Sequence, residues 1–232
     1  MQIGVVNIGR SRYEEAWKLQ KTLLELRHFG LTGDLFVLTE HEHVYTLGKG
    51  ADGNHLLASE QELREGGAEV FQIDRGGDIT YHGPGQVVGY PILDLSAFKT
   101  DIHWYLRSLE ETIILALEEF GIEAEREEGM TGVWVKGEKI AALGIKVSRW
   151  ITMHGFALNV NTDLRRFDRI IPCGIFHKGV TSMQQLLGRP VPLNEVHGAL
   201  IRSFAVVFGR NPVQIEASTL RQLIETHALQ TA

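Results

Sequence analysis

Reactive chemistry in this sequence could rest on one cysteine, one glycine-rich run and a few histidines and lysines. Cys173 is the only cysteine in 232 residues and stands in Ile170-Ile171-Pro172-Cys173-Gly174-Ile175. A lone cysteine among apolar residues is usually a small buried hydrophobe. Pro172 and Gly174, however, mark a turn or strand end, from which a side chain can reach a cleft. Lys139, His82, His154 and His177 are candidate activators. A free thiol has a pKa of about 8.5 and is only a few per cent thiolate at pH 7, so a cationic neighbour would decide its reactivity. The competing reading is a zinc site from Cys173, His177 and one more histidine. It lacks the paired cysteines or spaced histidines of zinc motifs.

The run Arg75-Gly76-Gly77-Asp78-Ile79-Thr80-Tyr81-His82-Gly83-Pro84-Gly85-Gln86 separates two apolar, strand-like stretches. Glycines let backbone N–H groups approach a ligand and adopt positive φ, and Arg75 and His82 add donors beside them. A plain hairpin needs about two to five residues, so the longer run reads as a ligand-binding loop. Two other motifs do not survive inspection. Gly48-Lys49-Gly50-Ala51-Asp52-Gly53 matches G-x-G-x-x-G, but the next helix signal, Ser59, follows only after Asn54-His55-Leu56-Leu57. A dinucleotide fingerprint needs the helix at its last glycine, so an ordinary flexible loop is expected. Glu40-His41-Glu42-His43 would put both histidines on one side of a strand. Two neighbouring histidines fall short of a closed metal site, and a solvated strand entry is expected.

The elements that must position these residues follow from periodicity. Strands are expected at Gln2–Asn7, Asp34–Thr39, Val44–Leu47, Glu69–Ile73 and Gln86–Leu95. Three more, at Gly132–Val135, Lys139–Val147 and Ile151–Val160, are spaced like an antiparallel meander. A helix is expected from about Ser11 to Arg27, with Tyr13, Ala16, Trp17, Leu23 and Leu24 on one face. Ser59 and Glu62 have capping-box spacing at the start of a short helix. From about Asp101 to Phe120, Ile102, Tyr105, Leu106, Leu109, Ile113, Ala116, Leu117 and Phe120 form an apolar stripe at helical period. The last third is helical, with Leu193, Val196, Leu200, Phe204 and Val207 on one stripe and Leu220, Leu223 and Ile224 on another. Strands and helices mix without a strict βαβ rhythm. The expected fold is α+β, a mixed or antiparallel sheet flanked by helices, as a single domain over 1–232 with the helices from about 190 packed on it.

Composition narrows the function. The chain is 44% hydrophobic and 22% charged with net charge −6, which suits a globular protein and argues against a nucleic-acid binder. No apolar run approaches the ~18 residues of a membrane span, and the start lacks the basic region of a signal peptide. With one cysteine no internal disulfide is available, so a cytoplasmic location is the default.

Taken together, the run Arg75–Pro91, Gly137-Glu138-Lys139-Ile140-Ala141-Ala142-Leu143-Gly144, Thr152-Met153-His154-Gly155-Phe156-Ala157-Leu158-Asn159 and Ile171-Pro172-Cys173-Gly174-Ile175 resemble the lipoate-biosynthesis octanoyltransferases, in that family's order, between about residues 40 and 187. The resemblance implies the fold of the biotin and lipoate protein ligases and transfer of an octanoyl group from acyl carrier protein to a protein lysine. The acceptors it implies are lipoyl domains of 2-oxoacid dehydrogenases and the glycine cleavage H protein. It implies that Cys173 is the acyl-thioester nucleophile and that Lys139 lowers its pKa. It also implies an acyl pocket lined by Arg75, Gly76, Gly77, Asp78, Ile79, Thr80, Tyr81, His82, Ala142, Leu143, Gly144, Gly155, Phe156 and Ala157. No cofactor, metal, nucleic acid or membrane is expected. An ATP-dependent ligase on the same fold and a non-catalytic acyl-binding protein are the alternatives. Since acyl carriers are acidic, Lys146, Arg149, Arg165, Arg166, Arg169 and Lys178 are candidate docking residues, against the plainer reading of scattered solvated charges.

Overall fold

A computed structural model of the chain describes residues 1–171 and 179–231. In order, its elements are β1 (Gln2–Ser11), α1 (Tyr13–His28), β2 (Leu35–His41), β3 (Val44–Leu47), α2 (Glu60–Glu65), β4 (Glu69–Gln72), β5 (Ile79–His82), β6 (Gln86–Ile92), α3 (Ile102–Glu118), β7 (Val133–Val135), β8 (Glu138–Ser148), β9 (Ile151–Asn159), α4 (Met183–Leu187), α5 (Leu193–Phe208), β10 (Asn211–Gln214) and α6 (Ala217–Thr231). Seven strands form a main sheet in the order β10-β1-β2-β6-β9-β8-β7, and three form a small sheet in the order β4-β3-β5. β1 runs parallel to β10 and β2, while the β2–β6, β6–β9, β9–β8 and β8–β7 pairings are antiparallel. The α+β class and the mixed sheet agree with expectation.

Near-continuous burial marks strands covered on both faces, and β6 and β9 are buried at every position. Alternate residues serve opposite layers. Val87, Phe156 and Leu158 join the core under α3 and α5, whereas Val88 and Ala157 join the one under α1 and α6. The apolar stripe of α3 packs as its period requires, and the Asp101 carboxylate accepts from the Trp104 N–H at the helix start. Ser59 and Glu62 close a capping box on α2.

The departures are specific. β1 extends to Ser11 through an irregularity after Asn7, where Gly9 takes φ +70°. α1 also buries Gln20 and Leu26, while the expected Trp17 and Leu24 are half-buried against the same core. The glycine-rich run contains a strand, β5, and β4 and β6 belong to different sheets, so the run crosses between sheets and is no hairpin loop. β10 was not foreseen; its Pro212 is tolerated because the strand is an edge. Within α3, Glu110 is buried, accepting from Gly132 N–H and pairing with Arg107 and Arg126. Among the described residues no helix is long and apolar enough to cross a membrane.

Candidate active site

Residues of both sheets line a cleft of about 750 Å³, its mouth included. One wall is the segment that leads into β5. Arg75 is buried there, and its guanidinium donates to Thr46 O at 2.8 Å, Thr46 Oγ1 at 3.0 Å and Gly76 O at 3.0 Å. Gly144 of β8 makes room for it, since a Cβ at that position would lie 2.7 Å from Arg75 Cδ. The segment 48–50, expected to be a flexible loop, braces this wall. Gly48 N–H donates to Asp78 O, Lys49 N–H to Arg75 O and Gly50 N–H to Gly77 O, and a Cβ on Gly48 would strike Gly77 O at 2.3 Å.

A charged clamp fixes the root of the same wall. Asp74 accepts from Lys146 Nζ at 2.6 Å and lies 3.0 Å from His154 Nε2, and Gly76 N–H donates to Ile145 O. Burial opposes the Asp74 charge, but the bonds to Lys146 and His154 outweigh it and hold the carboxyl below its ordinary range. His154 occupies left-handed backbone, φ +58°, within β9. The His154 N–H, itself inside the layer, donates to Gln20 Oε1 of α1 at 2.7 Å. Burial pushes the His154 ring down to about 4, against the pull of Asp74, so it is neutral at pH 7.

His82 is also neutral, pushed down to about 3 chiefly by burial and by neighbouring His41. Gln86 Nε2 donates to Tyr81 O and Asn159 Oδ1, which leaves its Oε1 to accept from His82 Nδ1 at 2.8 Å. The proton of this imidazole therefore sits on Nδ1 and Nε2 is an acceptor. Tyr13 stacks on the ring at 6.0 Å. His41, expected at a solvated strand entry, is instead fully buried beside this pair and pushed down to about 4 by burial. Its Nδ1 donates to Ser11 O, so Tyr90 donates to its Nε2 at 2.7 Å. His43 lies instead in the bend between β2 and β3 and bonds the Tyr81 hydroxyl, so the two histidines do not share one side of a strand.

Lys139, at the start of β8, is buried with Nζ 4.7 Å from the centroid of the Trp134 ring. Gly132 permits this, because a Cβ there would come within 3.1 Å of Lys139 Cε. Lys139 N–H donates to Gly179 O, and Thr181 N–H donates to Lys139 O. Ile171 N–H donates to His55 O at 2.8 Å. Cys173, with His177 and Lys178, lies outside the described residues, which resume at Gly179 and Val180. Val180 lines the cleft.

Of the expected pocket residues, Arg75, Gly77, Asp78, Ile79, Thr80 and His82 line the cleft, as do 142–144 and 155–157. Gly76 and Tyr81 do not. Tyr81 points to the other face of β5, under Tyr45 and Phe167, as strand alternation requires. Tyr13, Gln86, Val88, Tyr90, Asn159 and Phe167 also line the cleft and were not among the expected pocket residues. Of the docking candidates, Lys146 belongs to the clamp, Arg149 contacts His28, and Arg165 and Arg166 pair with Asp163 at the surface. Arg169 is exposed. Among the described residues no group of three metal-ligating side chains occurs.

The site can hold an alkyl chain between Val88, Leu143, Phe156, Ala157 and Phe167, beside one buried ammonium and one carboxylate, Asp78. Residues 12–205 match the model of the lipoyl protein ligase A/B catalytic domain. An octanoyltransferase of Christiangramia forsetii is 50% identical over 224 residues, covering 89% of this chain and 96% of that one. A lipoate-protein ligase A bound with ATP superposes with a TM-score of 0.77 at 14% identity, over 97% of this chain and 94% of that one. The biotin protein ligase of Aquifex aeolicus in complex with biotin and ATP gives 0.54 at 12% identity, over 90% and 71%.

Proposed function

The chain belongs to the lipoyl protein ligase A/B catalytic-domain family and is an octanoyl-transferring enzyme of lipoate biosynthesis; from that premise we propose that it carries the acyl group from acyl carrier protein to a lipoyl-domain lysine on Cys173. Residues 1–232 act in this reading as one catalytic domain in the cytoplasm, with α5 and α6 on opposite faces of its main sheet. One observation supports it most. The backbone of Lys139, a buried cation on an apolar cleft, pairs with Gly179 and Thr181, immediately after the segment that holds the only cysteine.

Direct attack of a lysine on a carrier thioester needs both proteins seated together, and a covalent relay divides the work. The Cys173 thiolate, favoured by the Lys139 ammonium, attacks the thioester carbonyl of the carrier. The carrier thiolate leaves and takes a proton from Lys139. The acceptor lysine, having lost one proton to solvent, then attacks the acyl-cysteine as a neutral amine. Lys139 takes the second amine proton, the carbon–sulfur bond breaks, and the thiolate–ammonium pair is restored. His82 suits this second role poorly, since an imidazole held near 3 is a weak base at pH 7. Backbone N–H groups near Gly77 or Gly144 are the candidates to hold the oxyanion. Thiol-to-thiol exchange is close to isoenergetic and thioester-to-amide transfer runs downhill, so no nucleotide is consumed.

Intact-mass analysis tests this. Protein mixed with octanoyl carrier, without nucleotide, is expected to gain one octanoyl group at Cys173, released by hydroxylamine and passed on to a lipoyl domain. Cys173→Ala should lose both steps, and Cys173→Ser nearly so, because a hydroxyl is hardly ionised near pH 7. Full transfer by Cys173→Ala, or a strict need for ATP and free octanoate, would overturn the covalent reading in favour of a ligase.

A further inference from the structure

The relay leaves one reactant without a receptor. A protein lysine arrives as an ammonium, and an apolar cleft disfavours a cation that nothing there solvates. Among the described residues lining the cleft, Asp78 is the one acidic side chain. Its two carboxylate oxygens differ. Oδ2 is 2.5 Å from His55 Nδ1, whereas Oδ1 is shielded from solvent and has no hydrogen-bond partner among the described residues. A buried carboxylate oxygen left in that state points to a donor that arrives from outside. Asp78 has no need of Oδ1 to hold its place, because its own carbonyl already accepts from Gly48 N–H. His55 makes a second connection: its carbonyl accepts from Ile171 N–H, two residues before Cys173. One residue thus orients the carboxylate and ties it to the stretch that leads to the nucleophile.

We propose that Asp78 receives the ammonium of the acceptor lysine at the cleft wall, with His55 as the positioning residue that holds the carboxylate by its other oxygen. An alkyl chain offers no hydrogen bond to that oxygen, so the acyl group does not account for it. The amide N–H groups of the carrier's thioester arm could, and the two donors separate by half-reaction. The inference rests on the transferase reading, and the experiment keeps the two apart.

Asp78→Asn keeps the shape and removes the charge. In single turnovers, acylation of Cys173 by octanoyl carrier is timed first. The acyl-enzyme is then discharged either to a lipoyl domain or to hydroxylamine, which is neutral at pH 7. Losing a charge-assisted bond to the ammonium should slow lysine transfer roughly 10- to 100-fold, while acylation and discharge to hydroxylamine slow by less than about threefold. Asp78→Glu should recover part of the lysine rate, and His55→Gln should lose it selectively but less severely. Equal slowing of acylation and lysine transfer would assign Asp78 to the carrier arm or to the fold and overturn the proposal. Unchanged lysine transfer would overturn it as well. Failure of the unaltered protein to acylate Cys173 would overturn the transferase reading first.

Discussion

Gly144→Ala probes the packing that seats Arg75 in the cleft wall. A Cβ at this position would lie 2.7 Å from Arg75 Cδ, 3.1 Å from Gly76 O and 3.3 Å from Arg75 Nη1. Non-bonded carbons rest at about 3.5–4.0 Å, so the arginine must retreat by about 1 Å. It is buried and its guanidinium is held by Thr46 and Gly76, so it cannot retreat without stretching those bonds. Overpacking costs about 1–3 kcal/mol, and weakening one hydrogen bond to a charged group adds about 1 kcal/mol. A loss of about 3 kcal/mol lowers Tm by about 6–12 °C for a chain of this size. Gly33→Ala is the control: a Cβ there meets nothing within 4 Å, and the change should stay within about 0.5 kcal/mol. An Arg75→Ala background removes two of the three nearest contacts of residue 144, the nearest included, so most of the penalty should vanish, a non-additivity expected of touching residues. Calorimetric scans of the single and double variants measure all three quantities. If Gly144→Ala matched the Gly33→Ala control, or kept its full penalty without the Arg75 side chain, the steric account would be wrong.

Lys139→Met should slow acylation of Cys173 by up to about 30-fold at pH 7, where an unassisted thiol is only a few per cent thiolate, and by less than about twofold at pH 9. Stopped-flow acylation across that range decides it, and an equal loss at every pH would remove Lys139 from thiol activation. Stability should fall on acidification well before the carboxylates titrate. His41, His82 and His154 are held at about 4, 3 and 4 in the folded protein, below the ordinary value of about 6.5. The unfolded chain therefore binds protons that the folded one refuses, so this stability is intact above about pH 6.5 and is lost as pH falls toward 4, at about 1.4 kcal/mol per pH unit for each histidine. Urea unfolding between pH 7 and 5 should show that slope, and His41→Gln should reduce it by one proton; the same slope in the variant would contradict a buried neutral His41.

What could be read from the sequence was whatever depends on near neighbours along the chain. The α3 stripe repeats within a few turns, Ser59 and Glu62 are one turn apart, and β7, β8 and β9 are joined by tight turns, so pattern and structure coincide there. β5 escaped notice because four residues between glycines look like loop, and its ladder partner β3 lies more than thirty positions earlier. The deeper misses share a cause. Gln20, His41 and Glu110 carry no sequence pattern that marks them as interior, because polar residues normally face water. Each is buried because it answers a demand set by distant chain: Gln20 takes the backbone N–H of His154, His41 takes the hydroxyl of Tyr90, and Glu110 holds Gly132 where Lys139 must pass. Two of those groups, the N–H of His154 and the N–H of Gly132, belong to residues with positive φ, +58° and +141°. Interior polar residues in this fold are thus found by asking which irregular backbone group needs a partner. The same question, put to Oδ1 of Asp78, returns no partner among the described residues, and this unmet acceptor is the ground for proposing it as the receptor of the incoming lysine.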